Sequence, residues 1–271
     1  MGKRPGDRDL ISGTTTEFPL SEIVFGFVYP VGTNADPVIS VLKNYLLQYG
    51  YQAGEFRISD QLRTLELGVS FDDATPYGKC DALIKAGNMA REKAADDRIL
   101  AVMAVTDIAD GRNLDEEDRP TATLRTAHLV RSFKRPEEVT LFRDIYKSGF
   151  YLIGIANDDD SQMHYLSQEL GIDAEKAQEL IDRDQNEQKP HGQRTRSTFY
   201  LSDVFVQSTG ERYKDQIERF LELVFGHPFF TPTREEHAMF LAYASGYALP
   251  NWEDKWGRQS QQPREMCWRS G

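Results

Sequence analysis

The segment Glu22-Ile23-Val24-Phe25-Gly26-Phe27-Val28 is an almost unbroken apolar run, the pattern of a β-strand buried on both faces. Such a strand needs helices above and below a parallel sheet, which directs the chain toward an α/β architecture. The run ends in Tyr29-Pro30-Val31-Gly32-Thr33-Asn34. Val38, Val41, Leu42, Tyr45 and Leu46 then mark one face of a helix from about Asp36 to Gln48, stopped at Gly50. The opening unit is therefore strand, glycine-bearing turn, helix.

The same patterns recur downstream. Tyr51 to Ile58 reads as a second strand, residues 59–82 as irregular, and Asn88 to Asp110 as one long helix. Leu124 to Phe133 reads as a strand and Pro136 to Tyr146 as the helix after it. Phe150 to Ala156 is a further buried strand, ending in the acidic cluster Asp158-Asp159-Asp160. Ser161 to Leu170 and Asp173 to Asp184 carry helical spacing, with Gly171 between them. A polar loop, residues 185–197, leads into a last strand, Thr198 to Val206, and the helix Glu211 to Phe225. Strands alternating with helices predict an α/β fold with a three-layer parallel sheet. This order of elements is similar to that of P-loop nucleoside and nucleotide kinases.

With 271 residues the chain suffices for one large α/β domain or two small ones. Its net charge of −11 argues against a surface for gripping nucleic-acid backbones, and no DNA-binding surface is evident. A local basic pocket for a small nucleotide needs only a few Arg or Lys and stays open. Cys80 and Cys267 stand far apart with no CxxC, which excludes a disulfide framework and a cysteine-rich zinc module. No apolar run approaches the roughly 20 residues of a membrane span, and the polar N-terminus lacks a signal peptide's apolar region. The expected location is cytoplasmic. Residues 1–19 are polar and aperiodic, and are expected to form a disordered lead-in.

A phosphate-binding loop uses glycines so that backbone N–H groups turn toward an anion beside a helix N-terminus. Gly26, Pro30, Gly32 and Thr33 occupy that context. The spacing departs from the usual motif, and Thr33 stands where Lys is expected after the second glycine. Without that lysine, efficient phosphoryl transfer loses a charge that stabilises its transition state. Two readings remain for the loop alone: nucleotide binding, or a plain glycine-bearing turn.

Several segments together resemble one family, the bacterial anti-phage dCTP/dCMP deaminases, which join a P-loop kinase-like domain to a C-terminal zinc deaminase. They are FGFVYPVGTN (25–34), AGNMAR (86–91), RSFKRPEEVTLFRDIYKSGFYLIGI (131–155), IDRDQNEQKPHGQRTRSTFYLSDVFV (181–206) and RFLELVFGHPFFTPTREEHAMFLAYAS (219–245). The resemblance implies a kinase-like nucleotide-binding domain over residues 20–245. It further implies that Gly87 and Arg91 open a helix facing a second nucleotide or monophosphate. Lys134 and Arg135 would lie at a strand end near the phosphates, and Arg183, Asp184 and Glu187 in a lid-like segment. Arg91 and Arg183 are the expected anion contacts, because an arginine can fork onto a phosphate; a solvated helix charge is the alternative for each.

The family's deaminase half needs zinc and an H-x-E…P-C-x-x-C pattern. This chain carries neither, so no catalytic and no metal-binding residue is assigned, and Zn²⁺ belongs only to the absent half. The ligand expected here is a nucleotide, with Mg²⁺ as its companion ion. His237 reads as a polar position on a helix from Thr233 to Ala244. After Ser245 the resemblance stops, and residues 246–271 gather the chain's three Trp in a polar, aperiodic tail. A shifted reading frame, with synonymous codons chosen, turns Tyr247–Gly271 into a peptide resembling the start of the deaminase domain. The expectation is a frameshift near Ser245–Gly246 and a poorly ordered tail, with a genuine tail docking through its tryptophans as the alternative. Three functions follow: a regulatory nucleotide-binding half, an active nucleoside or nucleotide kinase, or an interaction fragment assembling with itself or with full-length deaminase subunits.

Overall fold

The computed structural model of the chain describes residues 22–187, 189–226, 231–239 and 241. The lead-in at 1–19 and the tail at 246–271 lie outside them. The chain divides into two compact units, one up to Phe225 and one from Gly226 onward.

In the first unit the elements run β1 (Ile23–Val28), α1 (Asp36–Gln48), β2 (Gln52–Arg57), α2 (Ile58–Leu62), α3 (Pro76–Ala94), α4 (Ile99–Asp110), β3 (Thr126–Arg131) and α5 (Pro136–Tyr146). They continue with β4 (Phe150–Ala156), α6 (Asp159–His164) and a π-helical turn (Tyr165–Glu169). The last elements are α7 (Ala174–Asn186), α8 (Thr195–Phe199), β5 (Val204–Gln207) and α9 (Arg212–Val224). Five strands form one sheet in the order β2-β3-β1-β4-β5, and every pairing is parallel. The α/β fold with a parallel sheet between helical layers is therefore the one expected from the alternation of elements.

The apolar run of β1 works through the strand's two-residue period. Ile23, Phe25 and Phe27 face a core with Val38, Leu42 and Leu46 of α1 and Ile217 and Leu221 of α9. Val24 and Val28 face the opposite core with Ala86, Leu100, Ala104, Val139 and Phe142 from α3, α4 and α5. A third cluster, in which Ile84 meets Leu166, Ala177, Leu180 and Ile181, fastens α7 against α3. In the second unit, residues 234–239 are helical. A reciprocal cap starts them: Thr233 N–H donates to Glu236 Oε2 at 2.7 Å, and Glu236 N–H to Thr233 Oγ1 at 3.2 Å.

Four local expectations are corrected. The long helix over 88–110 is two helices, because Ala95 caps α3 in the left-handed region at φ 49°. Asp96 Oδ1 then accepts the Arg98 N–H at 2.8 Å, offering the backbone an alternative to the helix. The segment 59–82, expected to be irregular, contains α2 and the start of α3. The strand at 124–133 is trimmed to β3 by positive φ at Arg125 and Ser132. The last strand starts at Val204 because Thr198, fully buried, turns its hydroxyl onto the Arg194 carbonyl inside α8. Packing there overrides the strand preference of a β-branched residue.

Candidate functional site

The C-terminal ends of the central strands β1, β3 and β4 meet at one edge of the sheet, where ligand sites of parallel α/β proteins gather. The loop leaving β1 carries Pro30, Gly32 and Thr33. Gly32 has φ +79°, and a Cβ there would stand 2.9 Å from the Gln162 carbonyl oxygen and 3.1 Å from Leu166. Only glycine accommodates both constraints. Gly26 lies inside β1 instead of in the loop. A Cβ on it would meet the rings of Phe133 and Phe150 at 2.8 and 2.9 Å, so its missing side chain serves core packing.

β3 ends in a sharp bend. The N–H groups of Ser132 and Phe133 both donate to the Phe27 carbonyl, at 3.1 and 3.0 Å. That bend returns Lys134 to the β1 loop, where its Nζ donates to the Tyr29 carbonyl at 2.9 Å and to Asp184 Oδ1 at 2.7 Å. Asp184, 1 % exposed, also accepts the Val31 N–H at 2.8 Å and the Thr195 hydroxyl at 3.1 Å. A carboxylate from α7 thus holds a backbone N–H of the glycine loop together with the nearest lysine. Gly32, Lys134 and Asp184 are brought together at this one place.

Gly87 and Arg91 are placed elsewhere. They lie within α3, which starts at Pro76, and do not open it. Arg91 is fully buried; its Nη2 donates to Glu138 Oε1 at 2.9 Å, and both side chains are 0 % exposed. The other Glu138 oxygen accepts the N–H groups of Lys134 and Arg135, at 2.8 and 3.1 Å. Arg183 ties α7 to α3, with Nη1 donating to Asp81 at 2.7 Å. Burial, the largest single influence, would lower its pKa, but the bond to Asp81 and the charges of Asp81, Glu187 and Glu179 together raise it. Neither arginine is a solvated helix charge. Arg135, 1 % exposed, donates to the Gly192 carbonyl at 2.6 Å and to Asp97 at 2.7 Å, clipping down the polar segment before α8.

Beside the Lys134–Asp184 pair lies a cleft of about 320 Å³, walled by Pro30, Asn157, Gln162, Arg196, Phe199 and Tyr200. Asp159 stands on the same wall. Asn157 Nδ2 donates to the Gly32 carbonyl at 3.1 Å, and Gln162 Nε2 to the Asn157 carbonyl at 3.1 Å. Among the described residues, the buried oxygens Asn157 Oδ1 and Gln162 Oε1, like Thr33 Oγ1, have no hydrogen-bond partner. Arg196 is exposed and carries no side-chain partner among the described residues. The motif-based reading passed over Asn157, Gln162 and Arg196. Two signals were available: Asn157 directly follows a fully apolar strand, and Arg196 sits in the polar segment before β5.

Among the described residues, no group of three or more His, Cys, Asp or Glu side chains is placed to hold a metal ion. No helix among them is long and apolar enough to cross a membrane. No family model matches the chain, and no curated protein matches it. Among solved structures it is similar to a shikimate kinase from Acinetobacter baumannii in complex with shikimate, at 10 % identity and a TM-score of 0.40, covering 80 % of this chain and 100 % of that one. It is also similar to the Mycobacterium tuberculosis APS kinase in complex with AMPPNP and APS, at 14 % identity and a TM-score of 0.42, covering 76 % and 99 %. A gluconokinase from Sinorhizobium meliloti matches at 12 % identity and a TM-score of 0.34, covering 78 % and 98 %. At such scores the likeness bears on no substrate or activity of this chain.

Proposed function

We propose that this chain is a nucleotide-binding domain of P-loop kinase type, serving as the regulatory half of a cytidine-nucleotide deaminase in anti-phage defence. The observation that carries the nucleotide-binding part is the meeting of Gly32, Lys134 and Asp184 at the exit of β1. The loop's Val31 N–H already points at an anionic oxygen there, that of Asp184, and Lys134 supplies the cation absent after Gly32. Asp184 already neutralises Lys134 and occupies the Val31 N–H, so a phosphate gains this position only by displacing a carboxylate. That competition favours reversible binding over fast turnover. Gly32, Thr33 and Lys134 would hold the nucleotide's phosphates, with Asp159 available to its Mg²⁺. The deaminase partnership, its zinc and the defence role rest on the five matching segments of the sequence.

Lys134 also favours a second reading, an active nucleoside or nucleotide kinase, because it supplies the lysine that the loop lacks. Calorimetric titration with each dNTP, with and without Mg²⁺, tests binding. Saturable binding that weakens in Lys134→Met is expected, and a folded chain that binds no nucleotide overturns the proposal. Mg²⁺-dependent phosphoryl transfer to a nucleoside or its monophosphate would move the assignment to the kinase.

A further inference from the structure

We propose that α7 is an internal inhibitor of the glycine loop: the Asp184 carboxylate stands in for a phosphate, and a polyphosphate ligand binds only by releasing it. The inference rests on the nucleotide-binding reading above and adds the regulation of that site.

The contacts of Asp184 are those an anion makes. Its Oδ2 accepts the Val31 N–H of the loop at 2.8 Å. Its Oδ1 accepts Lys134 Nζ at 2.7 Å and the Thr195 hydroxyl at 3.1 Å. A loop N–H, an ammonium and a hydroxyl converging on one carboxylate are the kinds of donor that a phosphate takes. Asp184 is 1 % exposed and Thr195 2 % exposed, so water competes little for these bonds. A phosphate therefore has to take them from Asp184.

The inhibiting carboxylate belongs to a larger unit. Asp184 lies in the last turn of α7, whose body is fastened by the cluster of Leu166, Ala177 and Leu180 and by the Arg183–Asp81 bond. The chain beyond α7 returns to the same place. Arg194 N–H donates to the Lys134 carbonyl at 2.9 Å, and Arg135 Nη1 to the Gly192 carbonyl at 2.6 Å. The end of α7 and the start of α8 are thus both seated on the pair Lys134-Arg135. Ligand affinity is reduced by the fraction of molecules in which Asp184 holds the loop. Linkage makes the effect reciprocal: a bound polyphosphate loosens the hold of Asp184 by the same factor.

The test titrates the full chain calorimetrically with inorganic triphosphate and with each dNTP. Asp184→Asn keeps the shape and an acceptor oxygen while removing the charge, and should bind about tenfold tighter or more. Asp182→Asn, an exposed change on the same helix with the same effect on net charge, should stay within about twofold of wild type. Hydrogen exchange gives a second readout: saturating triphosphate should speed exchange in α7 and α8 of the wild-type chain. Three results overturn the inference. In the first, the wild-type chain binds and Asp184→Asn binds equally or more weakly. In the second, Asp182→Asn tightens binding as much as Asp184→Asn. In the third, exchange in α7 slows or stays unchanged when ligand binds, and this result decides alone if Asp184→Asn does not fold. Each of the three leaves the nucleotide-binding reading standing. Folded wild-type and Asp184→Asn chains that bind none of these ligands sink both.

Discussion

Arg91→Met separates a structural arginine from a ligand-binding one. The guanidinium and the Glu138 carboxylate form an ion pair with both side chains 0 % exposed. Removing the cation strands a buried carboxylate, a change that costs about 3–5 kcal/mol. Glu138 Oε2 keeps the N–H groups of Lys134 and Arg135, which places the expected loss near the lower end, about 3 kcal/mol. For a domain of this size class, about 2–4 °C of melting temperature accompanies each kcal/mol, so Tm should fall by about 6–12 °C. Adding Glu138→Gln removes the stranded charge while its amide oxygen still accepts from the backbone. The double variant should recover about 1–2 kcal/mol of the loss. Thermal and urea melts of the three proteins measure this. Suppose instead that Arg91→Met melts within about 2 °C of the parent while its nucleotide affinity collapses. The buried-pair account would then be wrong, and Arg91 would be a ligand contact after all.

Glu55 provides an acid-stability test. Burial pushes its carboxyl up, but hydrogen bonds from Lys43, Arg131 and Arg57 outweigh that and hold its pKa at about 2. A folded-state value below the ordinary 4.5 contributes stability above that pH, which is lost as the pH falls toward about 2. Glu55→Gln should flatten the stability profile between those limits, and an unchanged slope in urea melts would refute the assignment. Gly26→Ala must displace the rings of Phe133 or Phe150 and should cost about 1–3 kcal/mol, with ligand affinity of the folded fraction unchanged. Gly32→Ala combines a positive φ with backbone crowding and should reduce both stability and nucleotide affinity; a variant that keeps its affinity would contradict the role given to the loop.

The sheet was legible because burial on both faces leaves a mark that propensity alone does not. Ile23–Val28 and Phe150–Ala156 are unbroken apolar runs, and α1 and α5 announce themselves by helical spacing behind a turn and a proline. Gly32 was legible as the turn glycine between β1 and α1, where its positive φ requires it. What the chain alone determined is therefore the order of its elements and which faces must be covered. The tertiary structure decided how the charges are used. Arg91 and Arg183 look like free cations in the sequence, yet α5 brings Glu138 to one and α3 brings Asp81 to the other. Asp184 reaches the glycine loop only because the Ile84–Leu166–Leu180 cluster seats α7 there. Thr198 reads as strand until its burial turns that stretch into α8 and sets Arg196 and Tyr200 at the cleft. Hydrophobic periodicity is a local property of the chain, whereas Arg91 finds its partner 47 residues away and Arg183 finds its partner 102 residues away, and only the fold brings such pairs together.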